Sequence, residues 1–294
     1  HRLLCGDSAD AASVRQLMKD DRASLIFTSP PYGSKRDYTT GSAGDWDELM
    51  RGVFTQLDLI ATAECQVLVN LGLVHYANEW QPYWEGWIEW MRNQGWRRFG
   101  WYVWEQGAGL PGDWNGRLAP AFEWVFHFNK RTVRPNKIVP CKSAGTAGSK
   151  RGLAGHGLRN TDGSLQKWVH AGKDVQDTKI ADSVIRIERH RIAGIDHPAV
   201  FPIDLPAFIM ESFSEINAIV CDPFAGSGTT IMAGEGVGRR VRAIEVSPKY
   251  CDTAIRRWDA LYPGQLAMLD DAPKKRGSVA DFTAVKAARA KEAA

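Results

Sequence analysis

Nothing in this 294-residue chain is long enough and apolar enough to span a bilayer, and its first residues lack the basic-then-apolar pattern of a signal peptide. The expectation is a cytoplasmic protein with no membrane partner. Paired cysteines are missing as well: Cys5, Cys65, Cys141, Cys221 and Cys251 are odd in number and widely scattered. That pattern argues against a disulfide framework and a zinc site, leaving reduced thiols and no metal. Internal repeats are absent. The glycine loop at 226–228 lacks the Gly-Lys-Ser/Thr that holds a triphosphate. It also lacks the third glycine of a dinucleotide motif, so nucleotide hydrolysis and hydride transfer are both disfavoured.

What is present begins with apolar mass. Hydrophobic residues make up 44% of the chain, enough for a large core, and twelve tryptophans fall mostly between 46 and 124. For Trp84, Trp87, Trp90, Trp96, Trp101, Trp104 and Trp124 the reading is core or subunit interface rather than a stacking platform. Charge is divided. Residues 130–191 hold fourteen Lys and Arg against five acids, whereas the remainder holds twenty-three basic and twenty-nine acidic residues. A basic block on an acidic body is the footprint of a polyanion-binding insert, since each phosphate neutralised releases condensed counterions. Arg134, Lys142, Lys150, Arg151, Arg159 and Lys167 are its candidate phosphate or base-edge contacts. The segment 132–179 is rich in Gly, Ser, Lys and Arg without sustained periodicity, so it is expected to order on binding.

Short apolar runs at 24–27, 65–71, 218–222 and 241–245 alternate with helical patterns at 11–19, 49–60, 229–235 and 248–261. Such alternation predicts an α/β fold: a Rossmann-like, mostly parallel sheet with an antiparallel strand and helices on both faces. Residues 80–93 read as a tryptophan-rich helix, and 97–104 and 121–128 as strands. Four segments follow: 1–131 as the catalytic half, 132–181 as the basic recognition insert, 182–265 as the cofactor half of the same domain, and 266–294 as a frayed tail.

Two motifs carry chemistry. Thr28-Ser29-Pro30-Pro31-Tyr32 follows a buried strand, and its two prolines forbid helix and ladder pairing. The chain must leave the strand in a fixed turn that presents a hydroxyl, free carbonyls and an aromatic face, the parts needed to grip a flat ring by its amino group. The second motif is a strand ending at Asp222, the turn Pro223-Phe224-Ala225-Gly226-Ser227-Gly228, a helix opening at Thr229-Thr230, and a strand ending at Glu245. Glu245 lies 23 positions after Asp222, a spacing at which a carboxylate reaches ribose hydroxyls. An acid beside the glycine turn repels a pyrophosphate but suits an ammonium, which points to S-adenosylmethionine.

Together these motifs resemble the motif pair of the DNA amino-methyltransferases, which methylate adenine N6 or cytosine N4. The order of catalytic motif, basic segment and cofactor loop is similar to that of their β class. The resemblance implies that Ser29 and Pro30 accept hydrogen bonds from the target amine and that Tyr32 stacks on a flipped base, with Pro31 completing the turn. It implies that Asp7 meets the adenine side of the cofactor, that Phe224, Gly226 and Gly228 wrap its methionine part, and that Glu245 holds its ribose. His197 and Pro198 help close that site, while Phe201 departs from the family by standing where many relatives have lysine. Duplex DNA is the implied substrate, with a homodimer the expected assembly. Adenine N6 is favoured as the target over cytosine N4; an RNA or protein methyltransferase and an inactive DNA-binding regulator are the remaining alternatives.

Overall fold

The computed structural model describes residues 1–32, 46–109, 111–146, 160–164, 173–189, 201–265, 267–268 and 279–281. Its first unit comprises His1–Arg134 and Ser183–Ala294, and its second Pro135–Asp182. In the first, β1 (Arg2–Cys5), α1 (Ala11–Met18), β2 (Ala23–Thr28), α2 (Trp46–Phe54), α3 (Leu57–Ile60) and β3 (Ala61–Leu71) follow one another, the single helix expected over 49–60 being divided into two. The hairpin β4 (Val74–Tyr76) and β5 (Glu79–Gln81) comes next, then α4 (Glu85–Asn93), β6 (Arg97–Glu105) and β7 (Phe122–Asn129). The second unit contains the short ladder of β8 (Val139–Pro140) on β9 (Thr178–Lys179). The first unit then resumes with β10 (Val184–Arg186), α5 (Asp204–Phe213), β11 (Ile219–Asp222), α6 (Thr229–Gly236), β12 (Arg240–Glu245) and α7 (Pro248–Leu261). It closes with β13 (Ala267–Met268) and β14 (Val279–Asp281).

The main sheet has ten strands in the order β10-β6-β7-β3-β2-β11-β12-β1-β14-β13. β1, β12, β11, β2 and β3 are mutually parallel; β7 and β14 run against their neighbours. Because successive side chains point to opposite faces, the central strands feed two cores. Ile26, Val67 and Val69 pack with α1, α2 and α4, whereas Leu25, Phe27 and Leu68 pack with α5, α6 and α7. Burial on both faces is why these strands read as unbroken apolar runs.

Two expectations are corrected. The helix expected over 80–93 starts only at Glu85, because Ala77 and Asn78 take φ of +49° and +66° and turn the chain into the β4–β5 hairpin. Pro82 then separates that hairpin from the helix. Within the expected frayed tail, β14 pairs antiparallel with β1, Leu4 opposite Val279, and extends the sheet. Among the described residues no helix can cross a membrane and no group of three His, Cys, Asp or Glu is placed to hold a metal.

Candidate active site

β2 is followed in the chain by β3 on one side of the sheet, and β11 by β12 on the other. The connections therefore part between β2 and β11, and a crevice at the carboxyl ends of strands at such a switch point is where open α/β sheets bind ligands. Both sequence motifs leave the sheet there. Thr28, the last residue of β2, is fully buried and donates its hydroxyl to Asp222 Oδ1 at 2.7 Å. The other oxygen, Oδ2, accepts the Thr230 hydroxyl, and Phe224 N–H donates to Oδ1 at 3.1 Å. Burial raises the Asp222 pKa above the usual carboxylate range, opposed by the hydroxyls of Thr230 and Thr28 and the Phe224 N–H. Asp222, 1% exposed, thus clamps the start of the Pro-Pro turn to the glycine loop.

In that loop Phe224 and Gly226 are the residues left half-exposed, while Pro223, Ala225, Ser227, Gly228, Thr229 and Thr230 are buried. Gly226 and Gly228 take φ of +52° and +79°. A Cβ on Gly228 would stand 2.7 Å from that of Ala254, so this glycine lets α7 approach the turn rather than opening onto the crevice. Arg257 on α7 fixes the turn, its Nη1 donating to the Ser227 carbonyl (2.7 Å), the Ser227 hydroxyl (2.9 Å) and the Thr229 hydroxyl (3.0 Å).

Glu245 ends β12 opposite Cys5 of β1. Its Oε2 accepts Gly226 N–H and its Oε1 accepts Ser247 N–H, both at 2.8 Å. Burial raises its pKa, and those N–H groups oppose the shift. Asp7, two residues past Cys5, accepts Ala9 N–H at 2.9 Å and so shapes the turn that enters α1. A carboxylate aimed by backbone donors, a bend built on two left-handed glycines and the half-exposed Phe224 face are groups able to hold a nucleoside. Hydroxyl pairs are the donors a partly satisfied carboxylate accepts.

At the Pro-Pro turn, Ser29 and Tyr32 are half-buried and their hydroxyls lie 3.1 Å apart. Among the described residues no protein donor reaches the Pro30 carbonyl, whereas that of Pro31 accepts Trp46 Nε1–H at 2.6 Å. The Tyr32 ring lies so close to Gly72 that a Cβ there would stand 2.7 Å from its Cε2. Its hydroxyl meets Asn70 Oδ1 at 3.1 Å and Glu123 Oε2 at 2.6 Å. Burial, and then Glu123, push the Tyr32 pKa well above its ordinary range. Sequence reasoning missed Asn70, Glu123 and Arg257. The signal for the first two was a polar residue between apolar or aromatic neighbours in a strand; Arg257 offered none.

Arg134 and Lys142 are exposed, in the first and second unit respectively. The second unit is closed by Cys141 N–H to the Asp177 carbonyl (2.8 Å) and by paired bonds joining 145–146 to Val175 (2.9 and 3.0 Å). Lys150, Arg151, Arg159, Lys167, His197 and Pro198 lie outside the described residues.

A family model described as a DNA methylase, of N6/N4 type, matches residues 23–256. The chain is 29% identical over 147 residues to the orphan methyltransferase M.BamHII of Bacillus amyloliquefaciens, a match covering 48% of this chain and 55% of that protein. It therefore spans about half the length of that curated relative. Of solved structures, the cytosine-N4-specific PvuII DNA methyltransferase superposes with a TM-score of 0.60 at 17% identity, over 87% of this chain and 85% of that one. A proposed DNA modification methylase of Thermus thermophilus, solved with S-adenosyl-L-methionine, gives 0.53 at 20% identity, over 89% and 96%. At such identities the likeness is one of fold: a Rossmann-like methyltransferase sheet.

Proposed function

Since the chain belongs to the N6/N4 family of DNA methylases, we propose that it methylates the N6 amine of a flipped-out adenine in duplex DNA, using S-adenosylmethionine. The observation that carries this reading is the Thr28–Asp222 hydrogen bond, which holds the amine-gripping turn and the nucleoside cradle at adjacent strand ends. When bound, S-adenosylmethionine supplies a methyl on a positively charged sulfur, which an amine lone pair takes up with loss of a proton. Glu245 is the ribose partner, and Phe224 and Gly226 border the rest of the cofactor.

The exocyclic amine of a base is a weak nucleophile because its lone pair is delocalised into the ring. Hydrogen bonds from its two hydrogens to the Ser29 hydroxyl and the Pro30 carbonyl favour a tetrahedral nitrogen and localise that pair. Positioning then does most of the work. Because the amine lies inside the duplex, the base must leave the stack, and Tyr32 is its partner. The basic insert supplies phosphate contacts, with Arg134 and Lys142 among them.

Cytosine N4 is the second reading, favoured by Ser29, since serine at this position is common in that branch of the family. The order of a short basic segment between the two motifs, a pattern similar to stand-alone adenine enzymes, supports putting adenine first. A transfer assay with methyl-labelled cofactor should label duplex DNA and leave RNA and protein unlabelled. DNA affinity should fall steeply with salt; labelled protein or RNA, or a flat salt dependence, would overturn the reading.

A further inference from the structure

Glu123 is the only acid in β7, amid Phe122, Trp124, Phe126 and Phe128, and is 7% exposed. A buried carboxylate is costly unless each oxygen is engaged, and here both are. Oε1 accepts Arg189 Nη2 at 2.9 Å and Oε2 accepts the Tyr32 hydroxyl at 2.6 Å. Arg189 is itself held, its backbone N–H donating to the Gln106 carbonyl at 3.1 Å and its guanidinium lying 5.6 Å from the Trp104 ring centre. Asn70 is fixed too, because its Nδ2 donates to the Trp124 carbonyl at 3.0 Å and so turns Oδ1 toward Tyr32.

Tyr32 owns one hydroxyl hydrogen, and two oxygens that can only accept, Glu123 Oε2 and Asn70 Oδ1, compete for it. None is left for the third neighbour, the Ser29 hydroxyl at 3.1 Å. That contact is a hydrogen bond only if Ser29 donates and Tyr32 accepts. With its hydrogen turned inward, Ser29 offers only lone pairs outward. We propose that Glu123 is a positioning residue that, through Tyr32, makes Ser29 an obligate hydrogen-bond acceptor, so that the site selects a base edge bearing an amino group over one bearing a carbonyl. This deepens the reading of the site as an amine methyltransferase and rests on it. An amine satisfies Ser29; a carbonyl sets oxygen against oxygen and leaves both unpaired, a mismatch that discriminates strongly in a buried site.

Glu123→Gln tests the polarity. If the amide oxygen stays on Arg189, its NH2 group faces Tyr32, which must then accept and can donate to Ser29. The expected result is a kcat lower by roughly 10–100-fold, the usual cost of a lost orienting partner, with cofactor affinity and KM for DNA within about twofold. Tyr32→Phe, which removes the relay without a buried amide, should show the same split and decides the matter if Glu123→Gln does not fold. Unchanged kcat in the folded variants, or loss of kcat and cofactor affinity together, overturns the proposal. The tyrosine ring doublet in Raman difference spectra, wild type minus Tyr32→Phe, reads the hydroxyl as strong donor or acceptor without any turnover. A donor signature in the wild type that moves toward acceptor in Glu123→Gln supports the relay, and an acceptor signature in the wild type overturns it. A wild type with the donor signature that labels no nucleic acid overturns the functional reading while the hydrogen-bond chain stands.

Discussion

Ser29 and Glu245 end up at the tips of different strands, and their substitutions should fail differently. On the proposed roles, Ser29→Ala and Tyr32→Ala remove groups that touch the amine or its base; turnover should fall by roughly 100-fold or more while cofactor affinity holds. Glu245→Ala removes a charged acceptor from the cradle, so calorimetry should show cofactor binding weakened by roughly tenfold or more. Equal loss of turnover and cofactor affinity in all three would contradict the division of roles. The places of Ser29, Tyr32 and Glu245 at or just past strand ends were legible in the sequence because prolines, glycines and apolar runs mark them locally. Asn70, Glu123 and Arg257 were not, since their partners lie 28 to 91 positions away and meet only once the sheet is assembled.

The junction of β2 and β11 is the element on which the site depends. Asp222 is buried with a raised pKa, and Thr28 is one of three donors that offset its charge. Thr28→Val keeps the shape and removes the donor, costing about 1–3 kcal/mol of stability. The cost falls on the ionised form: a folded pKa above the unfolded one means that acid favours the fold, and losing a donor raises that folded pKa further. The destabilisation should therefore grow as pH rises through the Asp222 pKa and shrink below it. Denaturant melts across that range check it, and a penalty independent of pH would contradict the clamp. The β11-α6-β12-α7 unit could be read from sequence almost to its boundaries, because hydrophobic runs, glycine turn and Pro248 at the first position of α7 all agree. The β4–β5 hairpin could not, since its turn uses Ala77 and Asn78 at positive φ rather than glycine.

At the scale of the whole molecule the sheet does the organising. Five parallel strands bring residues from 7 to 245 to one edge, and a basic segment on an otherwise acidic chain supplies attraction for a polyanion. The fold class was legible because buried parallel strands announce themselves as apolar runs; strand β14 was not, because three residues in a polar stretch carry no periodicity. The most direct test is to incubate the protein with duplex DNA and S-adenosylmethionine, digest the DNA to nucleosides and identify the product by mass. The account predicts a methyl group on an exocyclic nitrogen, as N6-methyladenine. Methylation at a ring carbon, or DNA left unmodified while the cofactor is bound, would contradict it.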